Sequence, residues 1–261
     1  MNLTVYQVDA FAEKIFEGNP AAVIPLNDEW LPDDIMQKLA MENNLSETAF
    51  FIIKDDCYHI RWFTPEAEVD LCGHATLATS HVLFQHLNIA ADQICFHSRS
   101  GKLSVKKEGD LLVLNFPASK VEAKYIPTGL KTAFGIHPQE CFKGREDLML
   151  VFKNENDIAN LEPDFTKMLE ATSRGIICTA KSEKYDFVSR FFAPSVGINE
   201  DPVTGSAHTM LIPYWSEQLD KQNLVAKQIS KRGGVLHCKQ LGDRVEIGGK
   251  AVTYLVGTIN I

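Results

Sequence analysis

Four polar side chains stand where acid/base chemistry could use them: Glu47, His74, Asp201 and Ser206. Glu47 opens the apolar run Thr48–Ile53. A carboxyl held against apolar surroundings loses hydration, which favours its protonated form and suits a reversible proton carrier near neutral pH. Read instead as a charge at a strand end, the same residue is solvated and does no chemistry. His74 and Ser206 each follow a glycine, Gly73 and Gly205, at the start of a helical stretch. Helix N-termini hold unsatisfied N–H donors and a partial positive charge, so the natural guest is a small carboxylate, which glycine lets approach closely. The alternative for both residues is helix capping or a satisfied, half-buried side chain. Asp201 precedes Pro202, a place where a carboxylate also serves as an N-cap or dipole partner. Cys72 stands directly before Gly73, where a thiol could act as a base. Its counterpart is Thr204, so a racemase needing one thiol on each face of a carbon lacks its second base.

The elements that must position these residues repeat. Arg61-Trp62-Phe63-Thr64-Pro65 is echoed by Arg190-Phe191-Phe192-Ala193-Pro194, at an offset of 129 (61 to 190). Gly73-His74-Ala75-Thr76 is answered by Gly205-Ser206-Ala207-His208-Thr209, at 132 (73 to 205). Gly101, Gly109 and Asp110 recur as Gly234, Gly242 and Asp243, at 133 (101 to 234). Apolar patterning predicts first-half strands near 2–10, 21–26, 47–53 and 57–63, then a helix over 73–87 whose counterpart is 205–219. Hairpins turn at Glu108-Gly109-Asp110 and Leu241-Gly242-Asp243. The pattern reads as an α+β fold of two pseudo-symmetric lobes, each a mostly antiparallel sheet rolled around a central helix. The expected lobes are 1–117 and 118–261, with a linker over 116–127, the last strand free to pack back on the first lobe, and the active site in the cleft between them.

Composition excludes several classes. A net charge of −8 without a basic cluster disfavours nucleic acid and anionic membrane surfaces. No apolar run reaches the length of a membrane span and no secretory leader is visible, so a cytoplasmic location is expected. The six cysteines have no paired spacing and read as free thiols, mostly buried. His81 and His86 are five apart, which takes them off a common helix face, and no H-E-x-x-H occurs, so no metal site is expected. The dinucleotide fingerprint is absent too, and no cofactor is expected. Trp62 and Phe191 read as core.

Four blocks carry a likeness: Gly18-Asn19-Pro20-Ala21-Ala22-Val23, Asn44-Leu45-Ser46-Glu47-Thr48-Ala49-Phe50, Cys72-Gly73-His74-Ala75-Thr76 and Glu200-Asp201-Pro202-Val203-Thr204-Gly205-Ser206-Ala207-His208. In order and spacing they resemble the PhzF-like family, the phenazine-biosynthesis group of the diaminopimelate-epimerase fold. The resemblance runs the length of the chain. It implies a homodimer and an isomerase that uses neither metal nor nucleotide, with the proton-carrying glutamate at Glu47. It implies supporting roles for His74, Asp201 and Ser206, and substrate contacts from Asn19, Cys72, Gly73, Thr204 and Gly205. The expected substrate is a small carboxylated metabolite, open-chain or cyclic. Two alternatives stay open: a racemase or epimerase using Cys72, and a metabolite-binding protein without chemistry.

Overall fold

In chain order the elements are β1 (Asn2–Ala10), β2 (Asn19–Pro25), α1 (Asp33–Asn43), β3 (Glu47–Lys54), β4 (Cys57–Phe63), β5 (Glu68–Val69), α2 (Gly73–Gln85), β6 (Gln93–Ser98), β7 (Gly101–Glu108) and β8 (Leu111–Pro117). There follow β9 (Glu122–Ala123), α3 (Thr128–Thr132), β10 (Glu140–Lys143), β11 (Leu148–Val151), α4 (Glu155–Ala159), α5 (Phe165–Leu169), β12 (Ile176–Lys181) and β13 (Phe187–Ala193). The chain closes with β14 (Ile198–Asp201), α6 (Gly205–Leu219), β15 (Asn223–Gln228), β16 (Gly234–Leu241), β17 (Arg244–Gly249) and β18 (Ala251–Asn260). This computed structural model describes residues 1–54, 57–169 and 174–261. Two compact units form: Met1–Asn115 with Gly248–Ile261, and Phe116–Ile247. The closing strand β18 lies antiparallel to β1 from Asn260 to Ala251, within the first unit.

The two units repeat one pairing series. In the first, β2 is parallel to β3, β3 antiparallel to β4, β4 parallel to β6 and β6 antiparallel to β7, with β5 added on β4. In the second, β11 is parallel to β12, β12 antiparallel to β13, β13 parallel to β15 and β15 antiparallel to β16, with β14 added on β13. The sequence duplication is therefore a duplication of topology. In each unit a parallel step is bridged by a long helix, because parallel neighbours need a crossover.

Those helices are the cores. Ten residues of α2, from His74 to Phe84, are buried. Its small polar residues are compatible with burial because Thr76, Thr79 and Ser80 return their hydroxyls to the carbonyls of Cys72, Ala75 and Thr76. In α6 the interior Pro213 supplies no N–H for the Thr209 carbonyl. The Ser119 N–H donates to that carbonyl at 3.0 Å, so the chain after β8 repairs the gap. The stretch expected as a linker is thus structured, and β9 inside it pairs with β10.

Just ahead of each helix lies an arginine–glutamate fork. Arg61 Nε and Nη2 meet Glu68 at 2.7 and 2.6 Å, and Arg190 meets Glu200 at 2.7 and 2.9 Å. Each guanidinium also stacks over an aromatic ring two residues on, Phe63 at 5.2 Å and Phe192 at 4.9 Å. Trp62 and Phe191 are core, as expected. Removing one partner of a largely buried pair strands the other charge. Arg190→Met is expected to cost roughly 3 kcal/mol in urea denaturation, and replacing Arg190 and Glu200 together by apolar residues to cost clearly less.

Candidate active site

Three local features bring Glu47 to His74. Asn44 takes the left-handed conformation (φ 47) that stops α1, after which the chain enters β3 at Glu47. The parallel register of β2 and β3 sets Ala21 beside Glu47. Gly18, at φ +67, turns the chain into Asn19, and a β-carbon there would lie 2.1 Å from the Ala10 carbonyl oxygen. His74 Nε2 lies 2.9 Å from Glu47 Oε2, with side chains 7 % and 13 % exposed. The ring N–H is not aligned on the oxygen, and neither atom has another hydrogen-bond partner among the described residues.

The other ring nitrogen, Nδ1, is 3.2 Å from Asn19 Nδ2 and 3.5 Å from Cys72 Sγ. An amide suits either state of the ring, since its NH2 donates to a bare nitrogen and its oxygen accepts from a protonated one. Burial, followed by the nearby Glu47 charge, pushes the Cys72 thiol up to about 11. Burial opposes charge on His74, yet Cys72 and Glu47 outweigh it and hold the imidazole well above its ordinary range. Glu47, Cys72 and His74 also form a group, among the described residues, whose potential ligand atoms all lie within 4.8 Å. A donor set of one thiol, one imidazole and one carboxylate could hold a thiophilic divalent ion.

The remaining expected site residues sit together in the second unit. Thr204 is the residue before α6, and its hydroxyl donates to Asp201 Oδ2 at 2.5 Å instead of capping the helix. Cys72 makes no side-chain cap hydrogen bond on α2 either. Asp201 is therefore a partner of Thr204 and not the N-cap. Ser206 Oγ lies 3.3 Å from Arg174 Nη2 and accepts from it, which leaves the Ser206 proton to donate elsewhere. Arg174 is itself forked onto the buried Asp147.

Sequence reasoning missed Arg174, Asp147 and Gln228. Gln228 is fully buried, donates to the Asp201 carbonyl at 2.8 Å and accepts from the Thr204 N–H at 2.9 Å. A signal for it existed: it continues the buried parity of Leu224 and Ala226 along β15. His81 and His86 correct an expectation in the other direction. They do converge, both placing Nε2 on the Thr253 hydroxyl at 2.9 and 2.8 Å, with the two rings 6.0 Å apart, so two long side chains reach one hydroxyl without sharing a helix face.

A family model described as phenazine biosynthesis-like protein, PhzC-PhzF, matches residues 8–257. The chain belongs to this family. An uncharacterized isomerase of Pseudomonas aeruginosa is 52% identical over 261 residues, covering 100% of both chains. Another, from Halalkalibacterium halodurans, is 47% identical, covering 98% of this chain and 97% of its own. The crystal structure of a PhzF-family protein from Enterococcus faecalis superposes with a TM-score of 0.96 at 47% identity, over 100% of both chains. A hydroxyproline epimerase from Agrobacterium vitis, with a TM-score of 0.62 and 8% identity, shares the fold alone. The PhzC-PhzF chain is thus an isomerase with the α+β, diaminopimelate-epimerase-like architecture. No helix among the described residues is long and apolar enough to cross a membrane.

Two histidines of this family member are held neutral. Burial and then the nearby His86 push His81 down to about 4, and burial pushes His208 down to about 4 against its hydrogen bond to the Thr204 carbonyl. Both sit below the unfolded value of roughly 6.5, so between those limits the unfolded chain binds protons that the folded chain refuses. Their stability contribution is full above pH ~6.5 and is lost as pH falls towards 4, by at most about 1.4 kcal/mol per pH unit for each ring. Thermal melts by circular dichroism should show Tm falling from pH 7 to pH 5, with a shallower fall in His81→Gln.

Proposed function

We propose that this isomerase shifts a proton on a small carboxylated metabolite and that Glu47 carries the proton. The observation that supports it most directly is the 2.9 Å approach of Glu47 to His74 in a nearly buried setting, with neither facing atom engaged by a better partner. A carboxylate so placed can take a carbon-bound proton and return it at a neighbouring position, while the imidazolium stabilises the charge that develops. Asn19 keeps the ring oriented through either protonation state. Thr204, Gly205, Ser206 and Asp201 supply fixed donors and their anchor at the second helix N-terminus, and Gly73 does the same at the first. A carboxylate substrate accords with two helix N-termini whose own N-cap side chains make no cap hydrogen bond. The reading calls for neither metal nor cofactor, and we assign the enzyme to the cytoplasm, in keeping with six free cysteines.

The competing racemase reading requires Cys72 as a base. A thiol held neutral up to about 11 is a poor base at pH 7, and its counterpart Thr204 commits its proton to Asp201. In a panel of small carboxylates in heavy water, followed by NMR, Glu47→Gln is expected to lower carbon-bound proton exchange by roughly 100-fold or more. Cys72→Ser should retain exchange within about tenfold. Exchange that persists in Glu47→Gln and vanishes in Cys72→Ser would transfer the role to the thiol.

We also propose a homodimer. Phe16, Tyr254, Leu255 and Val256 expose an apolar patch on the first unit, with Phe16 64% and Val256 54% accessible. Analytical ultracentrifugation should return a dimer that Val256→Glu weakens, and a wild-type monomer would refute this.

A further inference from the structure

Cys57 and Cys95 are distant from the site and from the chemistry assigned to it. They sit on neighbouring parallel strands, β4 and β6, which pair at only two positions, Tyr58 with Phe96 and His59 with His97. One step earlier the same register sets Cys57 opposite Cys95. Side chains alternate across a sheet, so Cys57 and His59 share a face with Cys95 and His97. On that face the His59 and His97 rings stack at 5.0 Å. The opposite face carries Tyr58 against the fully buried Phe96 ring, at 6.0 Å. The cysteine face is therefore the outer one, with Cys95 exposed and Cys57 half-buried, whereas the other four cysteines are buried.

The two residues already interact. The Cys57 thiol donates to the Cys95 carbonyl oxygen at 3.3 Å, and burial together with Cys95 holds it above the ordinary thiol range. Neighbouring strands run about 4.8 Å apart, which falls inside the span of roughly 4.4–6.8 Å between α-carbons that a disulfide bridges. We propose that Cys57 and Cys95 are a redox-sensitive pair that closes to a cross-strand disulfide by exchange with a small disulfide of the glutathione type. The exposed Cys95 thiolate attacks one sulfur of that disulfide, its S–S bond breaks, and one small thiol leaves with the proton Cys95 gave up. Cys57, as thiolate, then attacks the Cys95 sulfur and expels the second small thiol. The protein loses two protons and two electrons, and one small disulfide becomes two thiols.

The bond would staple a seam that the backbone pairs at only two positions. It would also close a loop from 57 to 95 that contains Cys72, Gly73, His74 and all of α2. Oxidation therefore restrains the segment that carries the site without touching any residue of it.

The test uses the full chain, reduced, desalted and incubated with excess oxidised glutathione, then alkylated and mapped by peptide mass spectrometry. Wild type is expected to lose two titratable thiols and to yield one linked peptide pair joining Cys57 to Cys95, reversed by dithiothreitol. Cys57→Ser should stop at a glutathione adduct on Cys95, and Cys95→Ser should show neither product. A wild type that carries only the Cys95 adduct, with Cys57 still alkylated, overturns the proposal, as does one that remains fully reduced. Both serine variants replace a partly exposed thiol by a similar volume, and their melting temperatures against wild type verify that they are folded.

Discussion

A carboxylate gripped by both arms of a guanidinium, made once in each unit, fixes where each central helix begins. Glu68 and Glu200 stand five residues ahead of Gly73 and Gly205, and Arg61 and Arg190 project from β4 and β13, the strands on which β5 and β14 are added. The fork ties a two- to four-residue strand, too short to hold its own register, to a long one. Burying two charges brings little net stability, and the apolar cores supply that. What the fork contributes is position: with its bidentate geometry and the ring stacked beneath, the chain has one path into the helix. Every site residue after it in sequence inherits its place from that path.

The helices in turn set what the site can be. Because α2 is buried around most of its circumference, its first turn is as immobile as the core. His74 is held between Asn19 on one strand and Glu47 on the next, so three separate elements must agree before the imidazole meets the carboxylate. In the second unit Gln228 performs the matching service, holding both Asp201 and Thr204 from β15.

Much of this was legible in the sequence, for identifiable reasons. The strands at 2–10 and 57–63 and the helices from Gly73 and Gly205 follow from local periodicity and terminal residues, which a linear chain displays directly. The duplication showed at offsets of 129 to 133, because equivalent turns need the same glycines, and Gly109 and Gly242 indeed adopt φ of +60 and +66. The partnerships were hidden. Asn19 and His74 are separated by 55 residues, and Arg174 and Ser206 by 32. Only strand register and crossover direction bring such pairs together, and neither has a local signature. The convergence of His81 and His86 on Thr253 was misread for the same reason: their shared partner lies on β18, far along the chain.

The two halves have kept one topology and divided its chemistry. In the first unit the helix start is ringed by groups that can exchange protons: a carboxyl, an imidazole held towards its charged form and a neutral thiol. In the second, the Thr204 hydroxyl is committed to Asp201, the Gln228 amide to the Asp201 carbonyl and the Arg174 guanidinium to Asp147 and Ser206, while the Ser206 hydroxyl keeps a proton to donate elsewhere. A mechanism that inverts a carbon with two opposed bases needs a mobile proton on each side. The proton shift proposed here, which lifts a proton and sets it down elsewhere on the same face, needs one carrier, and the helix start of the first unit offers such a group in Glu47 beside His74.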